Sequence, residues 1–372
     1  MDYNYNTLLP YAIDQQNEQL IEQILIVNGN IGLLMKRECF KQACKIGNLK
    51  IVKLLIKLIP EIDITYKDNI AFRWACFYGH VDIVKWFIDQ NINIHKKYDH
   101  AMKWACQGGY LVIIKLLAQQ IPPTYEEYNT SLNYYCRRSS LFHDCTNMLI
   151  TFNHSNSFKW FYQNYKLYKY SSHYFCQACK SGDLEICKYI DEIDSSIKLY
   201  RYDNKHLPSW FNDTCKYGHY NIVKWAHEND AIKSDYISLC DLPMILCTGQ
   251  LDLCKLLFSI DPIKFKNLIV LDMLAIFRKL INRKNIANNL HIMKWLYEIC
   301  NNIDDCFLYQ TLALYKNSKL CKNDDLFMEC FYQQQLEIGQ WLYSINPKFT
   351  DISINNNLIT DCMIQWITDI KN

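Results

Sequence analysis

The sequence predicts an all-α solenoid of helix pairs with short finger or hairpin loops, about 10 to 11 repeats long and with several degenerate repeats. Three observations predict this fold class. A frame of 16 residues recurs along the chain at intervals near 33 residues. Each clear copy has helical apolar spacing on both sides of a central glycine. One such unit cannot bury its own apolar face, so neighbouring units are expected to stack.

The frame is clearest in three segments that align without gaps, and it returns twice further along the chain. These segments are FKQACKIGNLKIVKLL from Phe40, FRWACFYGHVDIVKWF from Phe72, MKWACQGGYLVIIKLL from Met102, FCQACKSGDLEICKYI from Phe175 and FNDTCKYGHYNIVKWA from Phe211. Weaker copies read MILCTGQLDLCKLL, NNLHIMKWL and FMECFYQQQLEIGQWL. We therefore expect one array over residues 1–372, with clear repeats at about 40–117 and 172–258 and degenerate repeats at about 8–30, 119–165, 265–300, 325–345 and 350–370.

Each unit is expected to contain two helices. In the copy that begins at Phe72, the residues Phe72, Ala75 and Cys76 lie at i, i+3 and i+4 and form one apolar stripe. Gly79 ends this helix, because glycine adopts the left-handed conformation of a helix C-cap without a steric penalty. The run VDIVKWFI that follows is apolar on nearly every side and predicts a second, buried helix. Its lysine can extend along apolar surface and place its ammonium in water.

Polar segments separate the helix pairs. Residues Asp89 to His100, DQNINIHKKYDH, show short alternation around Ile92 and Ile94. This pattern predicts an extended finger or hairpin between one helix pair and the next.

Composition excludes several classes of protein. The length of 372 residues suggests two or three domains, but the period replaces them with many small units. A net charge of +2 gives no general attraction to nucleic acid or anionic lipid. The longest apolar run, NLIVLDMLAIF, is 11 residues long and contains Asp272, so no membrane span is expected. The N-terminal sequence shows no signal peptide, and we expect a cytoplasmic protein with reduced thiols.

The 18 cysteines raise the question of a metal site. Cys176 and Cys179 form a C-x-x-C motif, but no second ligand pair lies at a spacing typical of zinc fingers. Five cysteines share one position of the repeat, which favours packing as small buried side chains. They are Cys44, Cys76, Cys106, Cys179 and Cys215. We expect no metal and no cofactor.

Tryptophan also follows the repeat. Six of the nine tryptophans directly follow the repeat lysine or its equivalent: Trp86, Trp160, Trp225, Trp295, Trp341 and Trp366. Leucine occupies the same position in other copies, which favours core packing. The alternative is a stacking platform for single-stranded nucleic acid, with the repeat lysines as a basic ridge. A solvated face is the simpler interpretation of those lysines, which are Lys53, Lys85, Lys115, Lys188, Lys224, Lys255 and Lys294.

Catalytic motifs are not recognisable. His80 and His219 directly follow anchor glycines, and a structural or capping role is expected for both. The segment YYCRRSSLFHDC contains Cys136 and His143, yet it also aligns as an eroded helix pair. There is no P-loop and no G-x-G-x-x-G motif. The sequence therefore predicts a protein that is not an enzyme.

The repeat resembles a known family. GHVDIVKWF, GHYNIVKWA and GNLKIVKLL are similar to the second-helix segment G-H-L-E-V-V-K-L-L of ankyrin repeats. The first-helix alanine of that family is present as Ala43, Ala75, Ala105 and Ala178, whereas its T-P-L-H tetrapeptide is absent. The variant with A-C and K-W resembles the divergent ankyrin-repeat proteins that large DNA viruses encode.

The resemblance implies a non-enzymatic module that binds a protein partner through a concave surface of fingers and first helices. A host factor is the implied partner if the gene is viral, with the chain acting as a monomer in the host-cell cytoplasm and without membrane or nucleic-acid contacts. The alternative is a nucleic-acid-binding solenoid that uses the repeat lysines and aromatics. The candidate partner-binding residues are Tyr66, Lys67, Arg73, Phe77, Tyr78, Lys96, Lys97, Tyr98, Lys103 and Gln107.

Overall fold

The computed structural model contains only helices and connecting loops in the residues that it describes, without a strand. This confirms the predicted all-α fold of helix pairs. The described residues are 5–27, 31–94, 96–120, 137–165, 167, 171–194, 209–239, 241–246, 249–282, 286–301 and 336–345. The chain divides into two compact units, Met1–Ser195 and Ser196–Asn372. The single array over residues 1–372 stays a prediction.

The first unit contains six successive helix pairs. Each first helix packs against the first helix of the next pair, and most second helices pack against second helices. The pairs are α1 (Tyr5–Asp14) with α2 (Glu18–Val27), α3 (Leu33–Ile46) with α4 (Leu49–Leu58), α5 (Tyr66–Tyr78) with α6 (Val81–Asp89), α7 (Lys96–Gly108) with α8 (Leu111–Gln119), α9 (Arg137–Thr151) with α10 (Ser155–Asn164), and α11 (Ser171–Ser181) with α12 (Leu184–Ile193).

The second unit repeats the same plan with more variation. Its described helices are α13 (Ser209–Lys216), α14 (Tyr220–Glu228), α15 (Asp235–Leu239), α16 (Leu242–Leu246), α17 (Leu251–Ile260), α18 (Pro262–Ile281), α19 (Ile286–Asn301) and α20 (Leu336–Ile345). The longest, α18, begins with proline at its first turn, and the Asp261 side chain accepts a hydrogen bond from the Lys264 backbone N–H. Proline is compatible with this position because the first N–H groups of a helix have no intrahelical partner.

In the clear repeats the anchor glycine ends the first helix as predicted. Gly79 has φ 84° and donates its backbone N–H to the Ala75 carbonyl. Gln16 with φ 53° and Asn153 with φ 58° occupy the same place in two degenerate copies. The eroded copies near residues 8–30 and 119–165 therefore keep the left-handed residue that separates α1 from α2 and α9 from α10.

The core lies between the two layers of helices. In the copy from Phe72, the predicted stripe of Phe72, Ala75 and Cys76 is fully buried. The second helix buries Ile83, Val84 and Phe87 and leaves Lys85 exposed. All five cysteines of the shared repeat position are buried, which confirms their packing role.

The loops between pairs are shorter than predicted. The expected finger over Asp89 to His100 is wrong in its second half, because α7 already begins at Lys96. Short isolated helices are marginal in water, and the residues from Lys96 to His100 lengthen a helix that begins its buried stripe at Ala101 and Met102, both 3% exposed. Cys136, Trp366 and the copy expected at about 350–370 lie outside the described residues.

Candidate functional site

The first helices of neighbouring pairs present a cluster of aromatic side chains, which we call the aromatic platform: Trp74, Phe77 and Tyr78 of α5 and Trp104 of α7. All four are half-buried. The ring centroids of Trp74 and Trp104 are 4.9 Å apart, and those of Trp74 and Tyr78 are 5.5 Å apart in a stacked arrangement. Phe77 contacts Tyr78 at 5.0 Å and Trp104 at 6.0 Å. The platform therefore joins two repeats on their shared first-helix face.

A lysine from the preceding repeat lies over this platform. The Lys45 Nζ is 5.6 Å from the Trp74 ring centroid and 5.5 Å from that of Tyr78. Both distances are within the range of cation–π attraction. Among the described residues, no carboxylate forms an ion pair with Lys45. Its positive charge is stabilised by the rings but not neutralised.

Arg73 supports the platform from its buried side. As a candidate partner-binding residue Arg73 was expected to be exposed, and this is wrong, since Arg73 is only 8% exposed. Its guanidinium lies 5.1 Å from the Trp104 ring centroid and donates a hydrogen bond of 2.9 Å to the Lys67 carbonyl. Burial lowers the pKa of Arg73, and the charge of Asp68 partly offsets this effect. Arg73 therefore positions Trp104 and the start of α5.

The segment held by Arg73 has an unusual backbone. Lys67, Asp68 and Asn69 all adopt left-handed φ values, at 48°, 57° and 61°. The buried Asn69 side chain donates a hydrogen bond of 2.7 Å to the Asn93 carbonyl in the next loop. Side chains with Cβ atoms are strained in this conformation, so the surrounding hydrogen bonds must hold it.

Tyr66 forms a second contact between cations and an aromatic ring on the same face. The Arg37 Cζ is 4.4 Å and the Lys67 Nζ is 5.3 Å from its ring centroid. Tyr66 is half-buried and Lys67 is exposed. The structure thus brings the predicted residues Tyr66 and Lys67 close to Arg37, which the sequence did not single out.

The remaining predicted residues have different surroundings. Lys103 forms an ion pair of 2.6 Å with Asp144 of α9, so its charge is already neutralised. Gln107 is half-buried, and its backbone carbonyl accepts a hydrogen bond from a histidine of the next described pair. The backbone of Lys96, Lys97 and Tyr98 lies in the first turn of α7, and their side chains are outside the described part of the chain.

Histidines after the anchor position connect successive pairs. The His80 Nε2–H donates to the Lys45 carbonyl at 2.7 Å, and the His154 Nε2–H donates to the Gln107 carbonyl at 2.9 Å. The His80 ring occupies the space that a Cβ on Gly47 would need, at 2.3 Å from it. The predicted structural role is confirmed for His80. The capping role is wrong, because neither His80 nor His219 makes a side-chain cap hydrogen bond.

The second helices present what we call the lysine ridge, one repeat lysine per pair. Lys53, Lys85, Lys115, Lys224, Lys255 and Lys294 are exposed. The tryptophans that follow the lysines were expected in the core, but the described ones are half-buried, because their rings lie at the edge between neighbouring repeats. The Trp160 ring contacts a lysine of the preceding repeat, since Lys115 Nζ lies 5.8 Å from its centroid, and the Tyr189 ring contacts Lys159 Nζ in the same way at 5.5 Å.

The described residues contain no group of three or more His, Cys, Asp or Glu side chains that could hold a metal ion. Cys179 is buried with its Sγ 3.7 Å from that of Cys187, whereas Cys176 is half-buried. In the segment considered for catalysis, the His143 Nδ1 bonds the Tyr174 hydroxyl at 3.1 Å and Cys145 is fully buried. Residues 137–145 of this segment belong to α9, as expected for an eroded helix pair.

A family model matches the first part of the chain. The model for ankyrin repeats, with three copies, matches residues 9–98 and 40–129. Residues 9–129 are ankyrin repeats. These repeats include the whole aromatic platform, as well as Tyr66 with its neighbours Arg37 and Lys67. No curated protein matches the sequence.

Ankyrin repeats are generally protein–protein interaction modules and are typically not enzymes. In the part of the chain that the structure describes, none of the helices combines the length and the apolar character needed to cross a membrane.

Sequence reasoning missed Trp74 and Trp104 of the aromatic platform, and also Lys45, which lies over it. The signal of the two tryptophans was available in the alignment of the repeats. The position before the first-helix alanine is tryptophan in two adjacent copies and glutamine in the copies from Phe40 and Phe175. A residue type that occurs in only some copies, at a position outside the core, is not required for the packing that all repeats share.

Proposed function

We propose that the chain is a non-enzymatic protein-binding module that engages its partner through the first-helix face. The observation that supports this most is the aromatic platform. Large aromatic side chains with partial exposure dominate the energetics of many protein interfaces, and arginine and tryptophan are enriched among their strongest contacts. Trp74, Phe77, Tyr78 and Trp104 provide four such rings in one cluster.

The candidate partner-binding residues are used in two ways in this proposal. Tyr66, Lys67, Phe77 and Tyr78 contact the partner, and Arg73 positions the platform from below. Lys96, Lys97 and Tyr98 at the start of α7, together with Lys103 and Gln107, extend the proposed contact surface. The platform rings already pack against one another in the free protein. The entropy lost by ordering these side chains when the partner binds is therefore small.

The proposal also covers the setting in which the module acts. We propose a host protein as the partner and a monomer in the host-cell cytoplasm, as the resemblance to viral ankyrin-repeat proteins implies. Size-exclusion chromatography with light scattering measures the monomeric state directly. A dimer mass at micromolar concentration would contradict the monomer.

The test is site-specific photo-crosslinking in an extract of the cell that produces the protein. The photoreactive residue p-benzoylphenylalanine is placed at position 78 on the platform or, as the matched control, at position 85 on the lysine ridge. Position 78 should yield discrete protein adducts and position 85 should not. Adducts from position 85 alone, or adducts that nuclease removes, would contradict the proposal and favour nucleic-acid binding along the ridge.

A further inference from the structure

The first helices of the ankyrin repeats are strongly basic in a chain of nearly neutral charge. In sequence, α3, α5 and α7 together contain nine Lys and Arg residues against three Asp and Glu residues. Their partner helices α4, α6 and α8 contain five against two. The excess positive charge of these repeats is therefore concentrated in the helices that carry the aromatic platform.

Three cations of this face contact aromatic rings but no acidic side chain among the described residues. Arg37 and Lys67 lie over Tyr66, and Lys45 lies over Trp74 and Tyr78. None of the three forms an ion pair with a carboxylate among the described residues. By contrast, Lys41 and Lys103 on the same face pair with Glu38 and Asp144. Lys41 and Lys103 are thus neutralised by ion pairs, whereas Arg37, Lys45 and Lys67 have no carboxylate partner among the described residues.

We propose that the first-helix face of α3, α5 and α7 binds an acidic protein segment in which Asp or Glu side chains alternate with apolar ones. This inference rests on the proposed function and names the chemistry of the partner. A carboxylate on the free side of Lys45 completes a stack of ring, cation and anion. Apolar side chains of the segment pack on the exposed parts of Trp74 and Trp104.

The position of the cations argues against a cationic ligand. An aromatic cluster can hold ammonium groups on its ring faces. Here Lys45 and Arg73 already occupy faces of Trp74, Tyr78 and Trp104. A lysine-rich or methylated-lysine segment would have to displace them and would meet their charge. Like charges brought together at an interface cost binding free energy.

The arrangement of the rings argues against single-stranded nucleic acid. Base stacking along a strand needs a row of free ring faces that follows the backbone. The four rings are instead clustered and mostly edge to face, with interplanar angles of 73° for Trp74 and Trp104 and 85° for Phe77 and Tyr78. Such a cluster offers a compact apolar surface that suits one or two side chains.

The test selects ligands from a phage-displayed library of random dodecapeptides on the full-length chain. Enriched peptides should be rich in Asp and Glu interspersed with Leu, Phe or Trp. The affinity of the best peptide is then measured by fluorescence anisotropy. Replacement of its acids by Asn and Gln should weaken binding about tenfold, and added salt should weaken it further, because electrostatic attraction supplies part of the affinity.

Two lysines of one repeat provide matched variants. Lys45→Gln should weaken the peptide about tenfold, whereas Lys53→Gln, exposed on the ridge, should change the affinity less than about twofold. Equal effects of the two variants would overturn the assignment of the face. If a thymidine oligonucleotide displaces the labelled peptide at a lower concentration than the unlabelled peptide does, the acidic-segment proposal is overturned in favour of nucleic acid.

The outcomes also separate this inference from the proposed function. If the selected peptides are neutral or basic and do not bind Trp74→Ala, the proposal of an acidic partner is overturned, but the platform stays the binding face. Acidic peptides that bind Trp74→Ala as well as the unmodified chain would count against both. An empty selection would overturn the acidic segment as a sufficient ligand, while cross-links from position 78 would still support the proposed function.

Discussion

The two helices of each ankyrin repeat differ in what they repeat. The second helices α4, α6 and α8 keep one pattern, with three buried apolar positions, an exposed lysine and a half-buried neighbour. The first helices share only their buried stripe, and their outer positions change from copy to copy. A position that repeats serves the contact that every repeat makes, namely stacking. A position that departs from the repeat, such as Trp74, is free for a contact made once.

The largest expected effect concerns the repeated core. Phe87 is fully buried and its ring contacts Phe72 at 5.5 Å and Phe40 at 6.2 Å. Phe87→Ala should reduce the free energy of unfolding by about 3–5 kcal/mol, because it removes apolar burial and leaves a cavity. Tyr78→Ala on the platform should cost clearly less. Urea denaturation followed by circular dichroism compares the two, and equal losses would erase the distinction between stacking and outer positions.

The next effect concerns the turn between the two helices. Gly79 has φ 84°, and a Cβ added there would lie 2.4 Å from the Tyr110 ring of the next repeat. Gly79→Ala should cost about 2 kcal/mol, from the left-handed strain together with the displaced ring. Gly32→Ala is the control, since nothing lies within 4 Å of its added Cβ and its φ is −60°. If both substitutions are equally mild in urea denaturation, the account of the turn is wrong.

The smallest effect concerns thiols on the buried side of the first helices. Burial, with contributions from Glu38 and Asp14, raises the pKa of Cys39 to about 12. At neutral pH only about one molecule in 10⁵ then carries the Cys39 thiolate, which is the form that reacts with alkylating reagents. Iodoacetamide should modify half-buried Cys176 well before Cys39, Cys76 or Cys179 in the native protein. Peptide mass spectrometry at short reaction times reads the order, and early modification of Cys76 would contradict it.

The same thiol makes stability depend on pH in one direction. The folded-state pKa of Cys39 lies above the ordinary value of 9.0. The contribution of the Cys39 thiol to the free energy of unfolding is complete below pH 9. It is lost as the pH rises from 9 toward 12, because only the unfolded chain releases the thiol proton in this range. Urea midpoints that rise over this range would contradict the burial of the thiols. Cys39→Ser, compared with the unmodified chain, isolates the share of this residue.

Much of the fold follows from local sequence, and most of the site does not. The helix pairs, the glycine turns and the buried cysteines depend on spacing within one repeat, which the sequence displays directly. The burial of Arg73 depends on a left-handed turn at Lys67, which is held by Asn69 and a carbonyl 24 residues away. Local propensity does not predict such a turn, because side chains with Cβ atoms disfavour it.

The platform was only partly predictable for a related reason. Phe77 and Tyr78 stand out as aromatic residues beside the anchor glycine. Lys45 belongs to the preceding repeat, and its position over Trp74 results from the stacking of two helices. The spacing of one repeat does not specify which side chains meet across that contact.

The central claim is tested most directly by two tryptophans of the same repeat. Trp74 lies on the platform and Trp86 follows the ridge lysine, and both are half-buried with an aromatic neighbour at 4.9 Å. Trp74→Ala and Trp86→Ala should each cost about 1–2 kcal/mol of stability. Binding of the protein cross-linked at position 78, measured by titration on the immobilised full-length chain, should be lost in Trp74→Ala and kept in Trp86→Ala. Loss of binding in Trp86→Ala with full binding in Trp74→Ala would contradict the first-helix face as the site.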